Sequence, residues 1–183
     1  MPLSFVDAAQ VEVGNMSLAL PFGQLTRFDP YYPAAFAGAE HLWMDHRVVD
    51  VAQVARFGGF RHGLFGTSML LGTDTMVRAT TSFGLAPEGG LGITLSDQWR
   101  AREVLRWDDD AGTYVPSNDP GTLGVTLGFT IGLGLDLAEL SGPPLTPYLA
   151  YRWFVQTPFL PALAVGPQGC TNIGIRWAFG GGE

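Results

Sequence analysis

Between Thr122 and Asp136 the chain alternates without interruption. Leu123, Val125, Leu127, Phe129, Ile131, Leu133 and Leu135 take the odd positions, and Thr122, Gly124, Thr126, Gly128, Thr130, Gly132, Gly134 and Asp136 take the even ones. Successive side chains of a strand point to opposite faces, so this segment predicts a strand with one aliphatic face and one face of glycine and threonine. A helix would scatter both sets around its circumference, and each interior glycine would cost about 1 kcal/mol relative to alanine. The length is a second constraint. Strands of soluble domains run to about 5–6 residues and tilted membrane-spanning strands to about 9–11, and the 122–136 run exceeds both.

The pattern recurs along the chain. Ile173, Ile175, Trp177 and Phe179 oppose Asn172, Gly174, Arg176 and Ala178. Leu145, Pro147, Leu149, Tyr151, Trp153 and Val155 oppose Thr146, Tyr148, Ala150, Arg152, Phe154 and Gln156. Leu91, Ile93 and Leu95 oppose Gly90, Gly92, Thr94 and Ser96, and Phe65, Met69, Leu71 and Val77 oppose Gly66, Ser68, Gly72, Asp74 and Arg78. In a soluble antiparallel barrel the apolar face turns inward and the outer face carries charge. Here the second face is small and weakly polar, with isolated charges. Small residues suit the inside of a narrow closed barrel, and large aliphatics with aromatics near the strand ends suit an outer face bathed in lipid.

The expected fold class is therefore all-β: a closed, antiparallel, up-and-down transmembrane barrel of eight strands with its apolar face outward. The predicted strands are 33–44, 47–58, 63–80, 85–97, 101–107, 121–137, 144–156 and 170–179, with ends uncertain by about 2–4 residues. The fifth is interrupted by Arg102, Glu103 and Arg106, and the second carries Gln53 among apolar neighbours. Residues 1–31 are expected to form a periplasmic or lumen-entering segment, 32–179 the barrel and 180–183 a tail. Segments 108–120 and 157–169 are long, whereas 138–144 is short and broken by Gly142, Pro143 and Pro144. With both termini periplasmic, the long segments fall outside and the short turn inside, as outer-membrane barrels require.

Composition excludes several other classes. The 183 residues suffice for one domain, and no run of eighteen apolar residues exists to form a spanning helix. A formal net charge of -7 argues against a nucleic-acid partner, since phosphate binding needs a basic face. All ten basic residues are arginine, and the single Cys170 cannot form an internal disulfide. Met1 to Gln10 has neither the basic start nor the apolar stretch of about 7–15 residues of an export signal. The expectation is that a signal was removed or that this start is engineered, and the expected location is the bacterial outer membrane.

The alternation over 33–179, with the terminal strand Thr171-Asn172-Ile173-Gly174-Ile175-Arg176-Trp177-Ala178-Phe179, resembles the small eight-stranded bacterial outer-membrane barrels of OmpX-like or OmpW-like type. That last strand looks like the C-terminal signal of such proteins, which favours alternating apolar residues and a final aromatic. This chain continues with Gly180-Gly181-Gly182-Glu183 after the aromatic. The resemblance is one of architecture and identifies no subfamily.

Strand parity points Glu40, Asp50, Arg56, Asp74, Arg78, Glu88, Asp136, Arg152 and Arg176 into the lumen. A lumen just wide enough for its own side chains would hold them as a paired network, because an isolated enclosed charge is expensive. A polar path or gated pore is the functional alternative. The same parity turns Leu123, Val125, Leu127, Phe129, Ile131, Leu133, Ile173 and Ile175 toward lipid. Trp43, Trp99, Trp107, Tyr151, Trp153 and Trp177 are candidates for an interfacial girdle.

His41, His46 and His62 with Ser68, Ser96 or Ser117 raise the question of a lipid hydrolase, but no Gly-x-Ser-x-Gly elbow occurs and catalysis needs nucleophile and base in contact. No catalytic residue is therefore assigned. The glycine spacings of 124–134 lack the following helix of a nucleotide loop, and Asp108-Asp109-Asp110 lacks the distal Glu of a calcium loop. No metal or cofactor is expected. The predicted role is that of a non-enzymatic outer-membrane protein in contact with membrane lipid, structural in the envelope or binding a protein or apolar ligand through external loops 108–120 and 157–169. A lipid-modifying enzyme of acyl hydrolase type and a soluble ligand-binding barrel are the alternatives.

Overall fold

The computed structural model describes residues 6–17, 32–46, 48–62, 66–99, 105–116, 122–158 and 166–179. Among the described residues there are ten strands: β1 (Ala8–Ser17), β2 (Pro33–Asp45), β3 (Val49–His62), β4 (Gly66–Ala79), β5 (Leu85–Trp99), β6 (Leu105–Asp108), β7 (Thr113–Pro116), β8 (Thr122–Leu135), β9 (Leu145–Thr157) and β10 (Gly166–Ala178). Eight of them close into a barrel in the cyclic order β1-β10-β9-β8-β5-β4-β3-β2, and β6 and β7 form a separate two-stranded sheet. Every neighbouring pair is antiparallel. Closure leaves no free edge, which is the condition for placing a sheet in lipid.

Along the barrel strands, even-numbered residues point inward and odd-numbered ones outward. On β8, Gly124, Thr126 and Thr130 are buried while Leu123 and Leu127 are 72% and 62% exposed. A bulge between Leu42 and Met44 interrupts the register of β2 against β3 near the barrel end. The 14 residues of β8 extend about 46 Å along the strand. Tilted by the roughly 40° usual for a closed barrel, they stand taller than an apolar band of about 25 Å.

Both described ends, Val6 and Phe179, lie at the same end of the barrel as the turns after β2, β4 and β8. The turn after β4 is tight: the Gly84 amide donates to the Thr81 carbonyl at 2.9 Å, and Gly84 has φ +80°, which a side chain would strain. At the other end lie the last residues of β1, β3, β5 and β9 and the first of β2, β4, β8 and β10. The described residues 108–116, 157–158 and 166–169 fall at that end, with 138–144 opposite.

The strand count of eight is reached by a different set from the expected one. Residues 8–17, expected to lie outside the wall, are β1 and close the barrel between β10 and β2. Gln10 and Glu12 face inward and Val11 and Val13 outward, so the alternation there is real but brief. The barrel boundary expected at 32 therefore moves to Ala8; residues 18–31 are outside the described set. Conversely, the described part of the expected strand 101–107, residues 105–107, is not in the wall but pairs with residues 114–116 in the small hairpin. With Arg102, Glu103 and Arg106 on it, that segment offers no continuous apolar face.

Candidate functional site

The interior is the best-defined site. Toward the end that holds the termini, Arg78 reaches across to Glu40 with both terminal nitrogens at 3.1 Å, and its Nε donates to Glu88 at 3.2 Å. Arg176 donates Nη2 to Glu88 at 2.6 Å and lies 3.2 Å from Glu40 through Nε. Each carboxylate thus serves two guanidinium groups. A planar fork matched to a carboxylate makes such contacts directional as well as attractive, and arginine supplies it where lysine would not.

A second ion-paired group lies further along the lumen. Glu12 accepts from Arg152 Nη2 at 3.0 and 3.2 Å and from the Tyr148 hydroxyl at 3.0 Å, and Arg56 approaches it at 3.3 Å. Arg56 also pairs with Asp74. Tyr148 joins the two groups, since the Arg176 guanidinium lies over its ring at 5.0 Å. Its ring fits because Gly174 faces it across the ladder, where a Cβ would stand 2.5 Å from Tyr148 Cζ.

Above the second group comes an apolar collar of Met16, Ala34, Phe36, Phe60, Leu70, Phe154 and Cys170. The Arg152 guanidinium caps it, 5.1 Å over the Phe36 ring. A chain of buried amides runs near its loop end, Gln168 donating to Gln156 at 2.8 Å and Gln156 to Gln98 at 3.3 Å. Tyr32 stacks on His62 at 3.8 Å. Between the second ionic group and the collar lies a cavity of about 30 Å³, lined by Arg56, Asp74, Arg152, Thr94, Thr126 and Thr130 with Gly72, Gly92 and Gly128. Its size suits a water molecule.

Of the nine residues assigned to the lumen by parity, Glu40, Arg56, Asp74, Arg78, Glu88, Arg152 and Arg176 lie there in ion pairs. Asp50 faces inward at the mouth of the barrel, across the ladder from Arg78, and is half-buried. Asp136 is not in the lumen. It follows β8 in the turn, where its Oδ1 accepts the Ala138 amide at 3.0 Å, because the strand ends at Leu135 before parity can aim it inward. Sequence reasoning missed Glu12, which binds both Arg152 and Arg56; the Gln10-Val11-Glu12-Val13 alternation was the available signal.

Leu123, Val125, Leu127, Ile131, Leu133, Ile173 and Ile175 are exposed on the outer wall, and Phe129 is there also, half-covered by Trp153 at 5.7 Å between rings. Trp43 and Trp177 stand at the end that holds the termini and Trp99 at the loop end of β5. Two of the girdle assignments are corrected. Tyr151 lies at mid-strand on β9 and is buried, and Trp107 is on the β6–β7 hairpin, where it packs edge-on against Tyr114 at 5.1 Å.

Among the described residues no hydrogen bond joins a histidine to the hydroxyl of Ser68 or Ser96. His41 is on the outer face, bonded to Asp7 at 2.9 Å, while Ser68 and Ser96 are buried on the lumen side and neither hydroxyl has a hydrogen-bond partner among the described residues. His46 sits in the turn before β3, and Ser117 falls outside the described residues. The Asp108-Asp109-Asp110 run forms the hairpin turn: Asp108 Oδ1 accepts the amides of Asp110 and Ala111, and Asp109 accepts the Trp107 indole N–H. Among the described residues no group of three His, Cys, Asp or Glu side chains could hold a metal ion.

A closed wall of eight antiparallel strands is the architecture of the small outer-membrane β-barrels. The chain shares this fold with neisserial surface protein A: TM-score 0.61 at 13% identity, over 94% of this chain and 96% of that one. It also shares it with the outer membrane enzyme PagL, at TM-score 0.52 and 11% identity over 94% of this chain and 99% of that one. No family model and no curated protein matches the sequence.

Proposed function

We propose that this chain is an integral β-barrel of the bacterial outer membrane, closed to solutes, with a structural role in the envelope or a binding role carried by its loop end. The outer wall carries the proposal. Leu91, Leu123 and Ile173, each exposed by 65% or more, belong to a continuous apolar surface formed by closed strands long enough to cross a bilayer. A soluble barrel would hold such a surface against its core or a partner, since exposed apolar patches beyond a few hundred Å² drive association. The similarity of fold to two outer-membrane proteins supports the same location.

The non-enzymatic reading is supported by the placement of His41 on the face opposite the buried Ser68 and Ser96 and by the lack of a hydrogen-bond partner on either hydroxyl among the described residues. PagL is an outer membrane enzyme, and the enzymatic alternative raised by the sequence is an acyl hydrolase, so acyl release is the direct control for this reading. The test is fractionation of cells exporting the chain, followed by refolding into detergent and phospholipid vesicles. The expected result is residence in the outer-membrane fraction, resistance to extraction by urea, and faster gel migration before boiling than after. Monodisperse behaviour in detergent-free buffer overturns the membrane assignment, and turnover of lipid A or phospholipid acyl esters overturns the non-enzymatic one.

A further inference from the structure

The outer wall is not uniform. On β5 and β8 the outward positions are bulky aliphatics, whereas β2 presents Ala35, Ala37 and Ala39 in succession. Where Ala35 faces Gly59 of β3 across the ladder, the wall recedes into a groove of about 580 Å³ flanked by Val13, Phe57 and Met69. One outward position further along β3 toward the loop end stands Arg61, exposed and in register with Thr67, itself paired with Trp99. Of the arginines whose side chains are described, Arg56, Arg78, Arg152 and Arg176 are engaged in the lumen and Arg61 alone faces outward. No ion pair among the described residues includes it.

We propose that this groove seats one acyl chain of an anionic, phosphate-headed lipid of the loop-side leaflet, whose phosphate binds Arg61. The inference rests on the membrane reading above. An arginine at the end of a spanning strand extends to the headgroup level, because an unpaired charge is unfavourable in hydrocarbon. There its guanidinium meets phosphate in the geometry it fits best. Small side chains at Ala35 and Gly59 let a chain lie in van der Waals contact with the wall directly below that headgroup. Trp99, in the same row, marks the interfacial level.

The test compares the full chain with Arg61→Gln and Ala35→Phe, both outward-facing changes that leave the lumen untouched. Each is first inserted into vesicles containing phosphatidylglycerol and monitored by gel migration, then extracted gently and weighed by native mass spectrometry. The wild type should retain one phosphatidylglycerol, and each variant about tenfold less, the loss expected for one charge-assisted contact or a filled groove. Water-soluble glycerol phosphate should not displace the lipid. Insertion of all three with equal retention overturns the inference alone, as does displacement by glycerol phosphate. A wild type that fails to insert overturns the membrane reading and the inference with it.

Discussion

A single carboxylate, Glu12, holds the second ionic group together. It accepts from Arg152, Tyr148 and the Gln10 amide nitrogen, the last at 3.2 Å, and draws in Arg56. Enclosed ion pairs give up hydration to form, so their net contribution is small, but breaking one by removing a partner strands the other charge. Glu12→Ala leaves Arg152 and Arg56 sharing Asp74 as the remaining carboxylate of that group. The barrel should lose about 3–5 kcal/mol, read as a lowered urea midpoint for unfolding from vesicles. Glu12→Gln keeps the volume and a hydrogen-bond acceptor and should lose less. A Glu12→Ala midpoint equal to wild type would mean that water, and not protein, surrounds this carboxylate.

Single strands show how far the pattern of side chains determines structure. On β8 the outward Leu127 and inward Gly128 are chain neighbours with opposite surroundings. Leu127→Arg should destabilise the inserted barrel by about 2–4 kcal/mol, as a cation at mid-bilayer does. Gly128→Leu acts from the other side, because even a Cβ there would stand 2.6 Å from Phe154 Cβ and 2.9 Å from its Cα. Equilibrium unfolding of both variants in vesicles and in detergent separates the two mechanisms: the Leu127 effect should shrink in detergent and the Gly128 effect should persist. Neutrality of both variants would overturn this assignment of faces. This strand was fully legible in the sequence because its two faces differ in both size and polarity over its whole length. β1 was not, since only Gln10 through Val13 alternate clearly before Gly14 and Asn15 break the pattern, and its place depends on pairing with β10, a partner remote in sequence. Residues 105–108 erred in the opposite direction: a short β-prone segment pairs locally with 113–116, and periodicity cannot distinguish a hairpin strand from a wall strand. Most of the lumen charges were legible from parity, Glu12 and Asp136 excepted, but their partners were not, because which carboxylate meets which guanidinium depends on the stagger of the strands around the barrel.

At the scale of the whole molecule, the three layers of the interior act in series. A permeating ion would have to pass Glu40, Arg78, Glu88 and Arg176, then Glu12, Arg56, Asp74 and Arg152, and then the apolar collar around Phe36 and Phe154. In each ionic layer two carboxylates balance two guanidinium groups, so neither layer offers an uncompensated charge to replace an ion's hydration shell. The cavity between the second ionic layer and the collar is only water-sized, and an eight-stranded wall leaves little width beyond its own side chains. Reconstituted into a planar bilayer, the chain should leave conductance at the level of the bare membrane. Phe154→Ala should also leave it there, because opening the collar does not move the two ion-paired layers that lie in line with it. A conductance rise with Phe154→Ala alone would show that the collar is the sole barrier and that the arginine–carboxylate pairs part readily. Steady channel events from the wild type, of the size given by a water-filled porin, would show that the layers are not continuous across the lumen and would overturn the closed reading.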